Sequence, residues 1–101
     1  MAELQEYKVR ISRTALADLD EIFDYISVNY SKESSLEIRQ RIKDAIRSLS
    51  RLPMRQRVFF LDFRRLIVGR YCVLYVVNEQ TVTVKGVFHS SMDIVSRLRD
   101  R

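Results

Sequence analysis

The chain has 101 residues, is 47% hydrophobic with two glycines and one proline, and carries a net charge of +5. A chain of this length buries about 65% of its unfolded surface, which suffices for one sheet covered by a pair of helices and excludes a low-complexity or disordered chain. The longest uninterrupted apolar run, "YCVLYVV", is seven residues and too short for a membrane span, while a lone cysteine, Cys72, excludes an internal disulfide and fits a reducing cytoplasm.

The opening "MAELQEYKVR" is charged from residue 3 and predicts no secretory leader. Within "YKVRIS" (7–12), Tyr7, Val9 and Ile11 alternate with Lys8, Arg10 and Ser12, the period of a half-buried strand. Ser12 or Thr14 then caps a helix. Leu16, Leu19, Ile22, Phe23, Ile26 and Tyr30 follow at three- and four-residue spacing, predicting one apolar stripe. Asp18, Asp20, Glu21 and Asp24 occupy the rest of that surface, in the half where the helix dipole favours acid.

"NYSKES" breaks the helix, and Ser31 or Ser34 starts a second one. Its stripe is Ile38, Ile42, Ala45, Ile46, Leu49 and Leu52, ended by Pro53. So short a break makes the two helices antiparallel neighbours. Arg39, Lys43, Arg47 and Arg51 fall on a second face as a basic row. Residues 54–62, "MRQRVFFLD", read as a loop whose apolar centre, Val58 to Leu61, packs beneath a sheet edge.

Three strands complete the sheet. "FRRLIV" ends at "GR", a two-residue turn with glycine first, as in a type II′ hairpin. "YCVLYVV" is apolar on both faces and is expected at the centre, where Cys72 is a buried structural thiol. After the turn "NEQ", the strand "TVTVKGVFH" is expected to place Val82, Val84 and Phe88 on one face, opposite Thr81, Thr83 and Lys85. Ile94, Val95 and Leu98 allow a short last helix. The order is β-α-α-β-β-β(-α). It predicts a single α+β domain over residues 1–101, an antiparallel sheet with an N-terminal helical hairpin on one face.

Charge is distributed unevenly along this order. Residues 1–38 hold four basic and eight acidic side chains, whereas residues 39–70 hold ten basic and two acidic. Nine of those ten cations are arginine, the planar donor fork suited to carboxylate and phosphate. A +8 middle third predicts an anionic partner, either nucleic acid or an acidic protein segment, with Arg39, Arg47, Arg51, Arg55 and Arg57 as its contacts. One histidine, one cysteine and scattered acids assemble no metal site, and no glycine-rich phosphate loop exists, so no cofactor is expected.

Three phrases carry a family resemblance: "ISRTALADLDEIFDYI", "IKDAIRSLSRLP" and "FRRLIVGRYCVLYVVNEQTVTVKGVFH". Their order and spacing, with Ala15, Asp18, Leu19, Ile22, Tyr25 and Ile26 in the first and Arg65, Leu66, Ile67, Val68, Tyr71 and Tyr75 in the last, resemble the RelE/ParE superfamily from about residue 7 to 93. That superfamily comprises the toxins of bacterial type II toxin–antitoxin modules. The resemblance implies a cytoplasmic growth inhibitor of the plasmid-stabilisation kind, neutralised by a cognate antitoxin protein. It also implies contact with DNA indirectly, through the antitoxin complex.

The superfamily divides by target. Its mRNA interferases drive a ribose 2′-hydroxyl onto the adjacent phosphate on the ribosome, which takes a base, an acid and cations. A histidine near the end of the last strand serves there, with a neighbouring tyrosine and a strand arginine. His89 matches that histidine, but Ser90 stands where the tyrosine is expected and Cys72 where the arginine is. Arg65 or Arg70 would have to supply the cation. The ParE branch poisons DNA gyrase and lacks the catalytic set; its histidine is commonly followed by arginines and an aspartate, whereas "HSSMD" keeps only His89 and Asp93. The expected reading is a ParE-like toxin acting on gyrase. The alternatives are an endoribonuclease using His89 with Arg65 and Arg70, and a degenerate, non-toxic binding module.

Overall fold

The structure, a computed structural model, describes residues 6–90 and 93–99. Ser91, Met92 and the side chain of Leu98 lie outside the described residues. The elements run β1 (Lys8–Ile11), α1 (Arg13–Asn29), α2 (Lys32–Ser48), a 3-10 turn at Pro53–Arg55, β2 (Val58–Phe60), β3 (Phe63–Val68), β4 (Tyr71–Asn78), β5 (Thr81–His89) and α3 (Ile94–Arg99). The five strands form one sheet in the order β1-β5-β4-β3-β2. This is the expected α+β architecture with β4 at its centre.

Both helix starts follow from serine chemistry. The Ser12 hydroxyl accepts from the Ala15 N–H at 3.1 Å, and the Ser31 hydroxyl accepts from the Ser34 N–H at 3.0 Å. Each satisfies a donor that the first helical turn leaves unpaired. Helix α2 stops at Ser48, earlier than the apolar spacing implies, so Arg51 and Leu52 lie beyond it. Leu52 takes a left-handed backbone (φ 51°) that swings the chain into the 3-10 turn.

The hairpin α1–α2 covers one face of the sheet. Leu19 and Phe23 of α1, Ile42 and Ile46 of α2, and Val73, Tyr75, Val82 and Val84 of the sheet form this core. The stripe of α1 is narrower than its spacing implies: Leu16 and Tyr30 stay exposed. Buried Tyr75 donates its hydroxyl to the Pro53 carbonyl at 2.6 Å and so pins the segment after α2 to the central strand. Ser35, the one buried polar residue among the described residues, donates to the Phe23 carbonyl and ties the two helices together.

Three strand expectations need correcting. Val58–Phe60 is not a loop but a short edge strand, antiparallel to β3 through Val58–Arg64 and Phe60–Phe63 pairs. Strand β1 runs parallel to β5, Lys8 opposite Thr81 and Ile11 opposite Val84. No tight turn joins these two strands, so nothing in the connection requires an antiparallel pair. Phe88 does not share a face with Val82 and Val84. Leu74 and Tyr75 are consecutive, yet they face Gly86 and Val84, so Lys85 is bulged out of the ladder. Past that bulge Val87 continues the helix-covered face, while Phe88 joins Cys72, Leu74 and Ile94 on the other.

Candidate functional site: a basic basin and an aromatic corner

Two surface regions gather the chemistry-bearing residues. The first lies where α2 ends. The segment after the helix turns at Leu52 and is held down by Tyr75 and by Arg64, which donates to the Gln56 carbonyl and, at 3.4 Å, to that of Met54. This return leaves an open basin of about 570 Å³ between the end of α2, the 3-10 turn and β3. Arg47, Arg51 and Arg55 all line it, with Leu52, Leu66 and Asp44 between them. All three arginines are exposed. Arg51 reaches the Glu6 carboxylate at 3.9 Å, an exposed pair worth little to stability.

The other two expected contacts stand apart. Arg39 lies over the Phe23 ring, 4.7 Å from its centroid, a cation–π contact between the two helices and away from the basin. Arg57 is exposed just ahead of β2 and does not line the basin. The basic row on α2 is therefore shorter than its spacing implies, and its end is continued by the turn rather than by helix. Arg41, which the charge count included without a role, lies against the β3–β4 turn. A Cβ on Gly69 would meet that guanidinium at an ordinary contact distance of 3.4 Å, so it is the positive φ of +59° that favours glycine in this turn.

The second region surrounds His89. The β4–β5 bulge decides its neighbour. An unbroken ladder from the Asn78–Thr81 turn pairs Tyr71 with Phe88, but the extra residue moves His89 opposite Tyr71. The two rings meet edge to face, with centroids 5.6 Å apart. Tyr25 and Tyr30 form a second edge-to-face pair at 6.3 Å near the end of α1. Burial raises the Tyr71 phenol above the ordinary tyrosine value, the neighbouring Tyr25 and Tyr30 raise it further, and the Arg70 guanidinium opposes them. The Arg70 carbonyl accepts from the Ser90 N–H at 2.8 Å, closing the end of the sheet.

Arg65 is not part of this corner. It pairs in register with Leu74, on the face opposite Tyr71 and His89, and its guanidinium lies over the Phe59 ring at 4.5 Å. There Cys72 is buried and its thiol raised by desolvation, with Arg65 pulling in the opposite direction. His89 and Arg70 are thus brought together, and Arg65 is separated from them by the thickness of the sheet. Tyr71 was missed by the reading of the sequence. The signal was its position directly after a two-residue turn, but pairing it with His89 requires the bulge.

Among the described residues, no group of histidine, cysteine or carboxylate side chains is arranged to hold a metal ion, and no helix is long and apolar enough to cross a membrane. No curated protein sequence is significantly similar to this chain. Among solved structures, a chain of the chromosomal ParDE toxin–antitoxin system from P. aeruginosa superposes with a TM-score of 0.76 at 20% identity, covering 84% of this chain and 97% of that one. A chain of the RelBE2 toxin–antitoxin complex from Mycobacterium tuberculosis gives 0.59 at 23% identity, covering 88% and 97%. At these identities the likeness is one of fold. The sequence family described as the ParE toxin of the type II toxin–antitoxin system parDE matches residues 9–94. A match spanning both helices, all but the first residue of the sheet and the start of α3 shows that the chain belongs to the ParE toxin family of type II toxin–antitoxin systems.

Proposed function

We propose that the whole chain is the toxin of a type II module, held inactive in the cytoplasm by a cognate antitoxin, and that it acts by binding DNA gyrase rather than by cutting RNA. Family membership supports the toxin and antitoxin parts. The observation that favours binding over cleavage is the placement of Arg65 on the face opposite His89, which leaves Arg70, beside Tyr71, as the single candidate cation near His89. Phosphoryl chemistry needs the proton-transfer group and the charge-stabilising cation on the same phosphate. In this reading His89 packs against Tyr71 as a structural and partner-contact residue. Arg39, Arg47, Arg51, Arg55 and Arg57 bind macromolecular partners, and DNA is reached through the antitoxin.

A second reading, the ribosome-dependent interferase, draws support from the juxtaposition of Arg70, Tyr71 and His89. The substitution His89→Ala separates the two. A binding toxin keeps its growth arrest and its inhibition of supercoiling within a few-fold. A nuclease loses message cleavage on translating ribosomes by about 10²–10⁴-fold, the usual worth of a general acid or base. Loss of growth arrest in a folded, antitoxin-competent variant overturns the gyrase reading. Unimpaired growth of cells expressing the unaltered chain alone overturns both and leaves a non-toxic binding module.

A further inference from the structure

The basin at the end of α2 combines features that select among anions. Its three arginines come from different backbone settings: Arg47 from the last turn of a helix, Arg51 from the segment beyond it and Arg55 from the 3-10 turn. They therefore converge on a concavity from separate directions instead of lining a straight ridge. Among the polar residues between them stand apolar side chains. Leu66 is half-buried, and Leu52 is 50% exposed although its left-handed backbone is costly for a leucine. We propose that this basin is a receptor for an extended acidic peptide: its carboxylates pair with Arg47, Arg51 and Arg55, and an apolar side chain between them rests on Leu52 and Leu66. The inference rests on the partner-binding reading above and narrows it to one ligand chemistry.

Three observations favour a peptide over nucleic acid. None of the described residues lining the basin is aromatic, so bases of a single strand have no ring on which to stack. Asp44 lines the same basin, and its carboxylate repels an unbroken row of phosphates, whereas a peptide can place an uncharged residue opposite it. The protein also supplies its own example of the contact. Glu6 reaches Arg51 from the segment leading into β1, and the adjacent Tyr7 N–H donates to the Ser50 carbonyl at 2.8 Å. A carboxylate on a backbone-bonded segment thus already sits at the rim.

The test uses the full-length chain and three fluorescein-labelled probes: a peptide of alternating Glu and Leu, the same peptide with Gln for Glu, and an oligothymidylate of equal charge. Fluorescence anisotropy is expected to show binding of the acidic peptide that weakens steeply with added salt and is at least about tenfold weaker for the Gln peptide, the scale of one charge-assisted hydrogen bond. Arg47→Ala, Arg51→Ala and Arg55→Ala are each expected to weaken it about three- to tenfold, with unchanged thermal midpoints, and Lys32→Ala, at the other end of α2, to leave it unchanged. Equal affinity for the Gln peptide, tighter binding of the oligothymidylate, or indifference to all three basin substitutions overturns the proposal. Growth arrest keeps the two readings apart. A toxic chain that ignores the acidic peptide sinks the receptor alone, and a harmless chain that binds it sinks the toxin reading alone.

Discussion

The two faces of the sheet are built to different standards. One carries seventeen-residue helices α1 and α2 over a core that reaches from Leu19 and Ile42 to Val82 and Val84. The other is covered by six-residue α3 through Ile94, and its remaining neighbours Phe59, Phe60 and Phe63 are only partly buried. The covered face holds the fold together. The thinly covered one leaves Ile67 exposed on the same face as Arg65. Stability and available surface are therefore divided between opposite sides of the same strands, and the difference is measurable.

The largest contrast is expected between Ile42→Ala and Ile94→Ala. Ile42 is 1% exposed in the helix–sheet interface, and its truncation should cost about 2–5 kcal/mol. Ile94 anchors a short terminal helix that can detach locally, so its loss should cost about 1 kcal/mol. Urea midpoints at unchanged slope read both values. Equal losses would mean that the two faces are equally cooperative, contrary to the division drawn above.

A smaller effect is expected at Tyr75, which ties the covered face to the rim of the basin. Tyr75→Phe removes the bond to the Pro53 carbonyl and should cost about 1–2 kcal/mol. The phenol is raised above its ordinary value of 10.0 by burial, with Arg64 opposing. A raised value means that the stabilising contribution is complete at pH below 10.0 and is lost as pH climbs through the folded-state value. The alkaline fall in stability should therefore be shallower in Tyr75→Phe, as followed by urea midpoints across that range. An identical fall in both proteins would assign the alkaline loss to other groups.

The smallest effect concerns the thin face. Asp93 accepts from the Ser96 hydroxyl at 2.9 Å and the Ser96 N–H at 3.3 Å, and these bonds hold its carboxyl below the ordinary 3.8. A lowered value means help to α3 that is present above pH 3.8 and lost as pH falls through the folded-state value. The Ser96 amide resonance should titrate with a midpoint below 3.8 while reporters in α1 and α2 stay unchanged. A midpoint at or above 3.8 would show that the cap does not form in solution.

The parts of this design legible in the sequence were those with a local period. The serine caps, most of the buried apolar positions of both helices and the three long strands follow from spacing and turn chemistry between neighbours, whereas Ala15 and Ser35 are buried outside the expected stripes. Features that depend on distant partners were not. Strand β2 has three residues and no alternation, and it exists because β3 offers it an edge. The parallel β1–β5 pair joins positions more than seventy residues apart. For the site, the charge count found the cations, but spacing extended the helical row to Arg51 and did not foresee the turn at Leu52 that folds Arg51 and Arg55 back beside Arg47. The separation of Arg65 from His89 depends on strand register, which composition does not encode.

The residue bulged from β5 has a use of its own. Lys85 bulges from the β4–β5 ladder, and its carbonyl accepts from the Ser12 and Thr14 hydroxyls at 3.4 and 3.2 Å. One residue beyond Gly86, the Val87 N–H donates to the Asp18 carboxylate at 3.0 Å. Omitting Lys85 would leave every later side chain on its present face and Tyr71 still opposite His89, because the ladder on either side is already in phase. What would be lost is the pair of hydroxyl bonds to the Lys85 carbonyl, while the Ser12 N–H to the Val84 carbonyl and the Val87 N–H to Asp18 would still join α1 to β5. The extra residue thus adds two hydrogen bonds between helix and sheet without changing which side chains share a face.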